Sequence, residues 1–483
     1  MNILYAASEA MPYAKSGGLG DVAGSLPLEL TKIKGTKVAV ILPYYGKIKN
    51  NPDWDIEYVA SFAVPLAWRQ VYAGLFKATH KNKGVGKNKR EDLIYYFIDN
   101  DYYFAADGYG YYNDGERFAF FSKAVLEAIP LLDFAPDVIH LNDWQTGFIP
   151  LFLKAHYQSH GLYQNIKTLF TIHNIEYQGK ANPDFRTEVL GVGDEWTNII
   201  TFDGCVNALK TAIVLSDKIS TVSETYSHEI CHAYFAHGLE NILRENSYKL
   251  CGVVNGIDDK LYNPKTDDVI KEKFSPANLS GKEECKKYLQ EKLGLEVNPD
   301  IPVFAMVSRL VGHKGLDLVD YVAHELVNMD VQLVVLGTGD KKYEDLFNFL
   351  AYTYPNKVSS NITFSATLAK EVYSGADFFL MPSKSEPCGL SQLIAMRYAT
   401  IPIVRETGGL VDTVSPINTE TAEGDGFTFK GYNAHDMLGA VSRAKDFYNY
   451  DKDKLKIVKK NIASKDLGWK LSAAKYMDIY QSI

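Results

Sequence analysis

Lys15-Ser16-Gly17-Gly18-Leu19-Gly20-Asp21-Val22 follows an apolar opening, Asn2-Ile3-Leu4-Tyr5-Ala6-Ala7-Ser8, and runs into a helical segment expected over residues 22–31. A strand, a glycine turn and a helix start make up the first unit of an α/β fold, with an anion cradle at its turn. Glycine lets the backbone come close to a ligand, and a helix N-terminus offers unpaired N–H groups to negative charge. Lys15 adds a mobile cation at the lip. A tight turn that needs glycine only for its geometry would account for a glycine pair. A lysine, three glycines and an aspartate this close to the first strand point instead to phosphate or sugar binding.

Outward from this unit, short apolar runs alternate with helix-like segments almost throughout. Val38-Ala39-Val40-Ile41-Leu42, Val138-Ile139-His140-Leu141, Thr168-Leu169-Phe170-Thr171-Ile172 and Lys218-Ile219-Ser220-Thr221-Val222 form one series. Val303-Phe304-Ala305-Met306-Val307, Gln332-Leu333-Val334-Val335-Leu336, Phe378-Phe379-Leu380-Met381 and Ile401-Pro402-Ile403-Val404 form a second. Continuous apolar strands between helices predict parallel sheets covered on both faces. A polar stretch, 264–302, separates the series, and a hinge is expected at 252–258. The expected domains are residues 1–251 together with 465–483, and residues 252–464. In the terminal segment Trp469, Ala473, Tyr476 and Tyr480 share one helix face, with Ser464 or Asp466 expected as its cap.

Composition excludes several classes. A length of 483 residues accommodates two or three domains, and 23 % charged with 46 % hydrophobic residues is ordinary for a globular chain. The net charge of −8 argues against a nucleic-acid binder. The one basic cluster, Lys81, Lys83, Lys87, Lys89 and Arg90, reads as a solvated loop, with contact to a polyanion as the alternative. Five widely spaced cysteines (Cys205, Cys231, Cys251, Cys285, Cys388) suit a reducing cytoplasm and neither a disulfide framework nor a zinc site. No signal peptide, transit segment or membrane span is expected. The 13 % aromatic content, with 32 tyrosines, suits sugar stacking, although core packing uses the same residues.

Polar clusters end the expected strands, where open α/β sheets bind ligands. In the first half they are Asn142-Asp143-Trp144-Gln145, His173-Asn174 and Asn255-Gly256-Ile257-Asp258; in the second, Ser308-Arg309 with Lys314-Gly315, Gly337-Thr338-Gly339, residues 383–391 and residues 405–410. Each alone reads as a cap or loop. Together they suit a diphosphate: Arg309 as a forked donor, Lys314 as a point charge, and Ser391 with the backbone after Gly389 as donors at a helix start. Glu386 suits sugar hydroxyls. A cleft between the two domains is where donor and acceptor are expected to meet. His228-Glu229-Ile230-Cys231-His232 matches the H-E-x-x-H zinc-protease pattern, its segment reads as helical, and His237 offers a third ligand. The pattern is short, and beside the denser sugar and phosphate constellation the metal reading is set aside.

These residues resemble, over essentially the whole chain, the bacterial glycogen synthases and plant starch synthases. The resemblance rests on Lys15 to Val22, on Val307-Ser308-Arg309-Leu310 with Lys314-Gly315-Leu316-Asp317, and on Pro382-Ser383 through Glu386-Pro387-Cys388-Gly389-Leu390. It also rests on Val404-Arg405 with Thr407-Gly408-Gly409-Leu410, on Asp412-Thr413, and on the terminal aromatic helix. It implies a GT-B glycosyltransferase: two Rossmann-like α/β domains with parallel sheets facing across a deep cleft, and a last helix crossing back to the first domain. It implies transfer of glucose from ADP-glucose to the non-reducing 4-hydroxyl of an α-1,4-glucan or maltooligosaccharide, with retention and without a metal or other cofactor. Carried over, Lys15, Gly17 and Gly18, with Asp21 beside them, would face the donor. Arg309 and Lys314 would neutralise the leaving diphosphate. Glu386, Cys388, Gly389 and Leu390 would line the glucose and phosphate pocket, with Ser391 on a phosphate. Asp143, His173, Asn174 and Asn255 would sit by the reacting sugar, and Phe364 would stack on the adenine.

The chain departs from the family pattern at Gln145, Tyr262, residues 180–185 and Ile394. The first two bear on acceptor binding; Ile394 stands where related transferases carry a second glutamate. Two fixed carboxylates of the hydrolase kind are not evident, so attack on the face of departure is expected. Two other readings share these features: an α-glucan phosphorylase-like transferase, and a non-catalytic glucan-binding protein.

Overall fold

Asn2–Ala6 forms β1, an apolar strand buried on both faces, and the chain builds outward from it in both directions. The computed structural model describes residues 1–80 and 92–483; the basic cluster Lys81 to Arg90 lies outside the described residues. The chain divides into two units, Met1–Asn255 with Trp469–Ile483, and Gly256–Gly468.

In the first unit, β2 (Lys37–Pro43), β5 (Leu93–Asp99), β6 (Val138–Asn142), β7 (Lys167–Ile172), β11 (Lys218–Thr221) and β12 (Leu250–Gly252) join β1 in parallel. β3 (Glu57–Leu66) and β4 (Arg69–His80) extend the sheet as an antiparallel hairpin, giving the order β12-β11-β7-β6-β1-β2-β5-β4-β3. They mix exposed and half-buried residues with buried ones, unlike the continuous burial of β1 and β2, which fits strands with one wet face. A small second sheet holds β8 (Lys180–Ala181), β9 (Thr201–Phe202) and β10 (Cys205–Asn207). The strand order reverses between β1 and β6, so the loops after these two parallel strands lie side by side.

Helix α1 spans Gly18–Leu30, four residues earlier than the apolar pattern of residues 22–31 suggests. Gly18 and Gly20 thus lie in the first turn of the helix itself, with Gly17 at its cap position. The terminal helix, Lys470–Gln481, packs in the first unit with Trp469, Ala473, Tyr476 and Tyr480 buried. Neither expected cap serves it: Trp469 holds the cap position without a side-chain bond, Ser464 closes the preceding helix, and Asp466 accepts the Gly468 N–H in a local turn. Tyr480 Oη meets His140 Nδ1 at 2.7 Å instead, tying the helix to β6.

In the second unit β13 (Val303–Val307), β14 (Gln332–Leu336), β15 (Val358–Asn361), β16 (Phe378–Met381), β17 (Ile401–Arg405) and β18 (Phe427–Phe429) are all parallel, in the order β15-β14-β13-β16-β17-β18. The reversal here falls between β13 and β16. The polar-looking stretch 264–302 contains the helix Ser280–Lys292, which buries Lys282. That ammonium donates to Ser374 O, Tyr398 O and Thr400 Oγ1 at 3.0, 2.8 and 2.7 Å, and burial pushes its pKa well down. No helix among the described residues is long and apolar enough to cross a membrane.

Candidate active site

In each unit most of the expected site residues lie at or beside the point where the strand order reverses, the position at which open α/β sheets bind ligands, whereas Asn255 and Phe364 follow the edge strands β12 and β15.

In the first unit the loop after β1 is organised by a residue that sequence reasoning passed over. Glu9 is buried, and its carboxylate accepts the N–H groups of Ser16, Gly17 and Gly20 at 2.5, 3.1 and 2.9 Å, together with the Ser16 hydroxyl. The glycine N–H groups are therefore not all open to a ligand. Two are already satisfied by the protein's own anion, while Gly18 and Leu19, first in the helix, keep N–H groups without a partner among the described residues. Lys15 is not loose at the lip; its Nζ pairs with Asp21 at 2.7 Å, both side chains remaining partly exposed.

Across the switch point, β6 ends at Asn142, and Asp143 follows it. Asp143 adopts φ +54°, a conformation rare for any residue but glycine. Its Oδ1 accepts the N–H groups of His173 and Asn174 at 2.7 and 3.3 Å, joining the end of β6 to the end of β7. Burial pushes the Asp143 carboxyl up to about 7, against these two N–H bonds and with the Glu9 charge acting in the same direction. Burial pushes the His173 imidazole down to about 3, so the ring is neutral at physiological pH. Asn174 Oδ1 accepts the Glu176 N–H in a local turn. Asn255 and Gln145 each bury a side-chain carbonyl oxygen without a partner among the described residues. Such groups are costly unless something completes them.

In the second unit, β13 ends at Val307 and the chain turns through Ser308 and Arg309. The Arg309 guanidinium is exposed and has no partner among the described residues. The following turn, Gly312–Lys314, closes on Gly315 at φ +74°, where an added Cβ would stand 1.9 Å from Pro382 O. Only glycine allows this approach, and it sets Lys314 against the loop after β16. Lys314 Nζ meets Glu386 Oε1 and Oε2 at 3.0 and 2.8 Å, and the Ser383 hydroxyl donates to Oε2 at 2.8 Å. Burial alone would raise the Glu386 carboxyl; Lys314 and Ser383 outweigh it and hold it below the ordinary glutamate value.

Arg405, at the end of β17, fastens the same loop. Its Nε donates to Ser383 O at 2.8 Å and its Nη2 to Lys384 O at 2.6 Å. The loop ends at Gly389, φ +75°, after buried Cys388; Leu390 caps the short helix Ser391–Arg397. Gln392 Nε2 donates to Cys388 O and Gly389 O at 3.1 and 2.9 Å, which fixes the turn. Phe364, beyond β15, is 83 % exposed, an aromatic face open to a stacking partner.

The H-E-x-x-H run does not form its motif. The helix there, Glu224–Glu229, ends before His232, so the two histidines do not share a continuous helix face. Among the described residues no three His, Cys, Asp or Glu side chains assemble as a metal site.

Comparison with known proteins returns one answer along the chain. The Starch synthase catalytic domain family matches residues 2–245, and the Glycosyl transferases group 1 family matches residues 290–460. Glycogen synthases of Alkaliphilus metalliredigens and Bacillus cereus are 46 % and 47 % identical to it, with full coverage of both chains in each case. Among solved structures, the catalytic domain of starch synthase IV from Arabidopsis thaliana, bound to ADP and acarbose, superposes with a TM-score of 0.89 at 31 % identity. That match covers 99 % of this chain and 98 % of the other. A sucrose-phosphate synthase from Thermosynechococcus elongatus, 16 % identical with a TM-score of 0.61 and covering 100 % of this chain and 98 % of its own, shares the fold.

Proposed function

The chain belongs to the starch and glycogen synthase family of GT-B glycosyltransferases, and from that premise we propose that it transfers glucose from ADP-glucose to the non-reducing 4-hydroxyl of an α-1,4-glucan, with retention. The observation that carries the reading is the cationic end of β13 and its following turn. Arg309 is unpartnered among the described residues, and Lys314 is held by a buried carboxylate.

The chemistry follows from charge. Breaking the anomeric C–O bond leaves an oxocarbenium-like glucosyl group and a diphosphate carrying more negative charge than the donor did. Arg309 and Lys314 bind that diphosphate more strongly as its charge grows, which lowers the barrier rather than merely tightening the ground state. Lys15 and the Gly18 and Leu19 N–H groups offer the same kind of positive charge at the end of β1. Glu386, whose carboxylate is kept ionised by Lys314, accepts sugar hydroxyls, and Phe364 stacks on the adenine. The acceptor O4 attacks the face from which ADP departs. The new C–O bond forms there, and the acceptor proton passes to the departing phosphate oxygen. Asp143, His173, Asn174 and Asn255 surround the reacting sugar. The positive charge this requires comes from side chains, so the proposed reaction draws on no metal ion. Free cysteines at all five positions support a cytoplasmic setting.

Incorporation of labelled glucose from ADP-glucose, and separately from UDP-glucose, into a maltooligosaccharide tests the proposal. Chain extension from ADP-glucose with release of ADP is expected. Glucan binding without ADP release, or release of glucose 1-phosphate from glucan and phosphate in place of extension from ADP-glucose, would overturn it.

A further inference from the structure

We propose that Asn142 is a positioning residue that fixes His173 as the Nε2–H tautomer, so that the ring presents a bare Nδ1 as a hydrogen-bond acceptor for a substrate hydroxyl. The geometry leaves one orientation for the Asn142 amide. Its Nδ2 lies 3.0 Å from Ala6 O and 3.4 Å from His140 O, two backbone carbonyls that can only accept. Turning the amide over would set Oδ1 against both. Oδ1 therefore faces the other way, where it meets Tyr5 Oη at 2.9 Å and His173 Nε2 at 2.9 Å.

An amide oxygen accepts and does not donate, so His173 Nε2 must carry the proton. A neutral imidazole has one N–H, which leaves Nδ1 bare; burial keeps the ring neutral. Nδ1 has no partner among the described residues, and the residue, though mostly buried, keeps some exposed surface. Burial also keeps the Tyr5 phenol protonated, so it too donates to Oδ1. Asn142 is fully buried, and its own N–H donates to Thr146 Oγ1 at 2.8 Å, so neither its backbone nor its side chain is loose. The amide is locked by the strand it sits on and by β1 beside it, and it passes that order to a ring just past the end of the neighbouring β7.

The inference rests on the proposed glucosyl transfer only for its effect on turnover, because the tautomer is read in the ligand-free protein. The experiment is long-range proton–nitrogen NMR of the histidine rings in labelled full-length protein, with His173→Gln assigning the His173 signals. The wild-type ring is expected to show a protonated Nε2 and a bare Nδ1 at neutral pH. Asn142→Leu, which removes the acceptor, is expected to convert His173 to a mixture of tautomers and to lower kcat roughly tenfold, with a smaller change in donor affinity. Tyr5→Phe leaves the acceptor in place and is expected to leave the tautomer as it is; this variant and the wild type decide the matter if Asn142→Leu does not fold. A wild-type His173 carrying its proton on Nδ1, or on both nitrogens at neutral pH, overturns the inference. So does an Asn142→Leu protein whose His173 keeps a pure Nε2–H form. Absence of any glucosyl transfer by the wild type would refute the proposed function and leave the tautomer reading intact.

Discussion

The first and second units each place a lysine–carboxylate pair at a sheet reversal, but the two pairs are built differently. Lys15 and Asp21 are both partly exposed, and the N–H groups around them are ordered by a separate buried carboxylate, Glu9. Lys314 and Glu386 are nearly enclosed, with side-chain exposures of 19 % and 8 %, and each is the other's main counter-charge. In the first unit, then, backbone shape is held by one acid while the cation leans on another. In the second, cation and acid hold each other, and Arg309 stands beside them without a partner among the described residues. An enclosed ion pair is costly to break from one side, whereas an exposed pair contributes little to the fold.

The sharpest way to break the comparison is to remove each lysine. Lys314→Ala leaves Glu386 enclosed without its counter-charge and should destabilise the fold by about 3–5 kcal/mol. Turnover should fall by roughly a hundredfold or more, since a charged hydrogen bond to the leaving group is lost as well. Lys15→Ala should cost about 0–1 kcal/mol of stability while slowing turnover roughly ten- to a hundredfold. Thermal melts read beside label incorporation separate the two effects; equal melting shifts would erase the distinction between the units.

Glu9→Gln keeps the shape but removes the charge that gathers the Ser16, Gly17 and Gly20 N–H groups. Turnover is expected to drop about tenfold, in line with one weakened charge-assisted bond network. Hydrogen exchange at these amides should accelerate. Unchanged exchange would show that the loop needs no internal anion.

Asp143 gives a smaller, pH-dependent effect. Its folded pKa of about 7 lies above the ordinary aspartate value, so the neutral form is favoured in the fold. That contribution is fully present below the ordinary aspartate range and is lost as pH rises through about 7. Asp143→Asn should therefore melt closer to, or above, the wild type in mildly alkaline buffer and compare less favourably in acid. Any inflection of kcat near neutrality should vanish with it. Parallel melting curves at all pH values would place the Asp143 pKa elsewhere.

The α/β architecture was legible because buried parallel strands must be apolar along their whole length, and the two strand series stand out from the loops around them. The glycine run announced the first βα turn for the same reason. Other features leave no mark in the local sequence pattern. Glu9 is a single acid between Ser8 and Ala10, and the nearby Lys15 pairs with Asp21 instead; only the fold brings Glu9 under the helix start. An acid in the loop that feeds a glycine-rich helix N-terminus is the signal that would have found it. Lys282 sits in a stretch that reads as solvated, because burial of an ammonium on four acceptors leaves no apolar mark. The hairpin β3–β4 interrupts its buried positions with exposed and half-buried ones and so does not stand out as a continuously buried strand. Asn142 reads as a strand-end polar residue; its role depends on which way an amide faces, and that is set by carbonyls from β1 and β6.

The central claim is that side-chain cations bind the diphosphate more tightly as it leaves than before. Arg309→Ala tests it most directly, because this guanidinium has no protein partner among the described residues to lose. Equilibrium binding of ADP-glucose and single-turnover transfer to a maltooligosaccharide are measured on the same protein. The account predicts a transfer rate lowered roughly ten- to a hundredfold, with a clearly smaller loss of donor affinity and an unchanged melting temperature. A loss confined to affinity, or a near-normal rate at saturating donor, would contradict it.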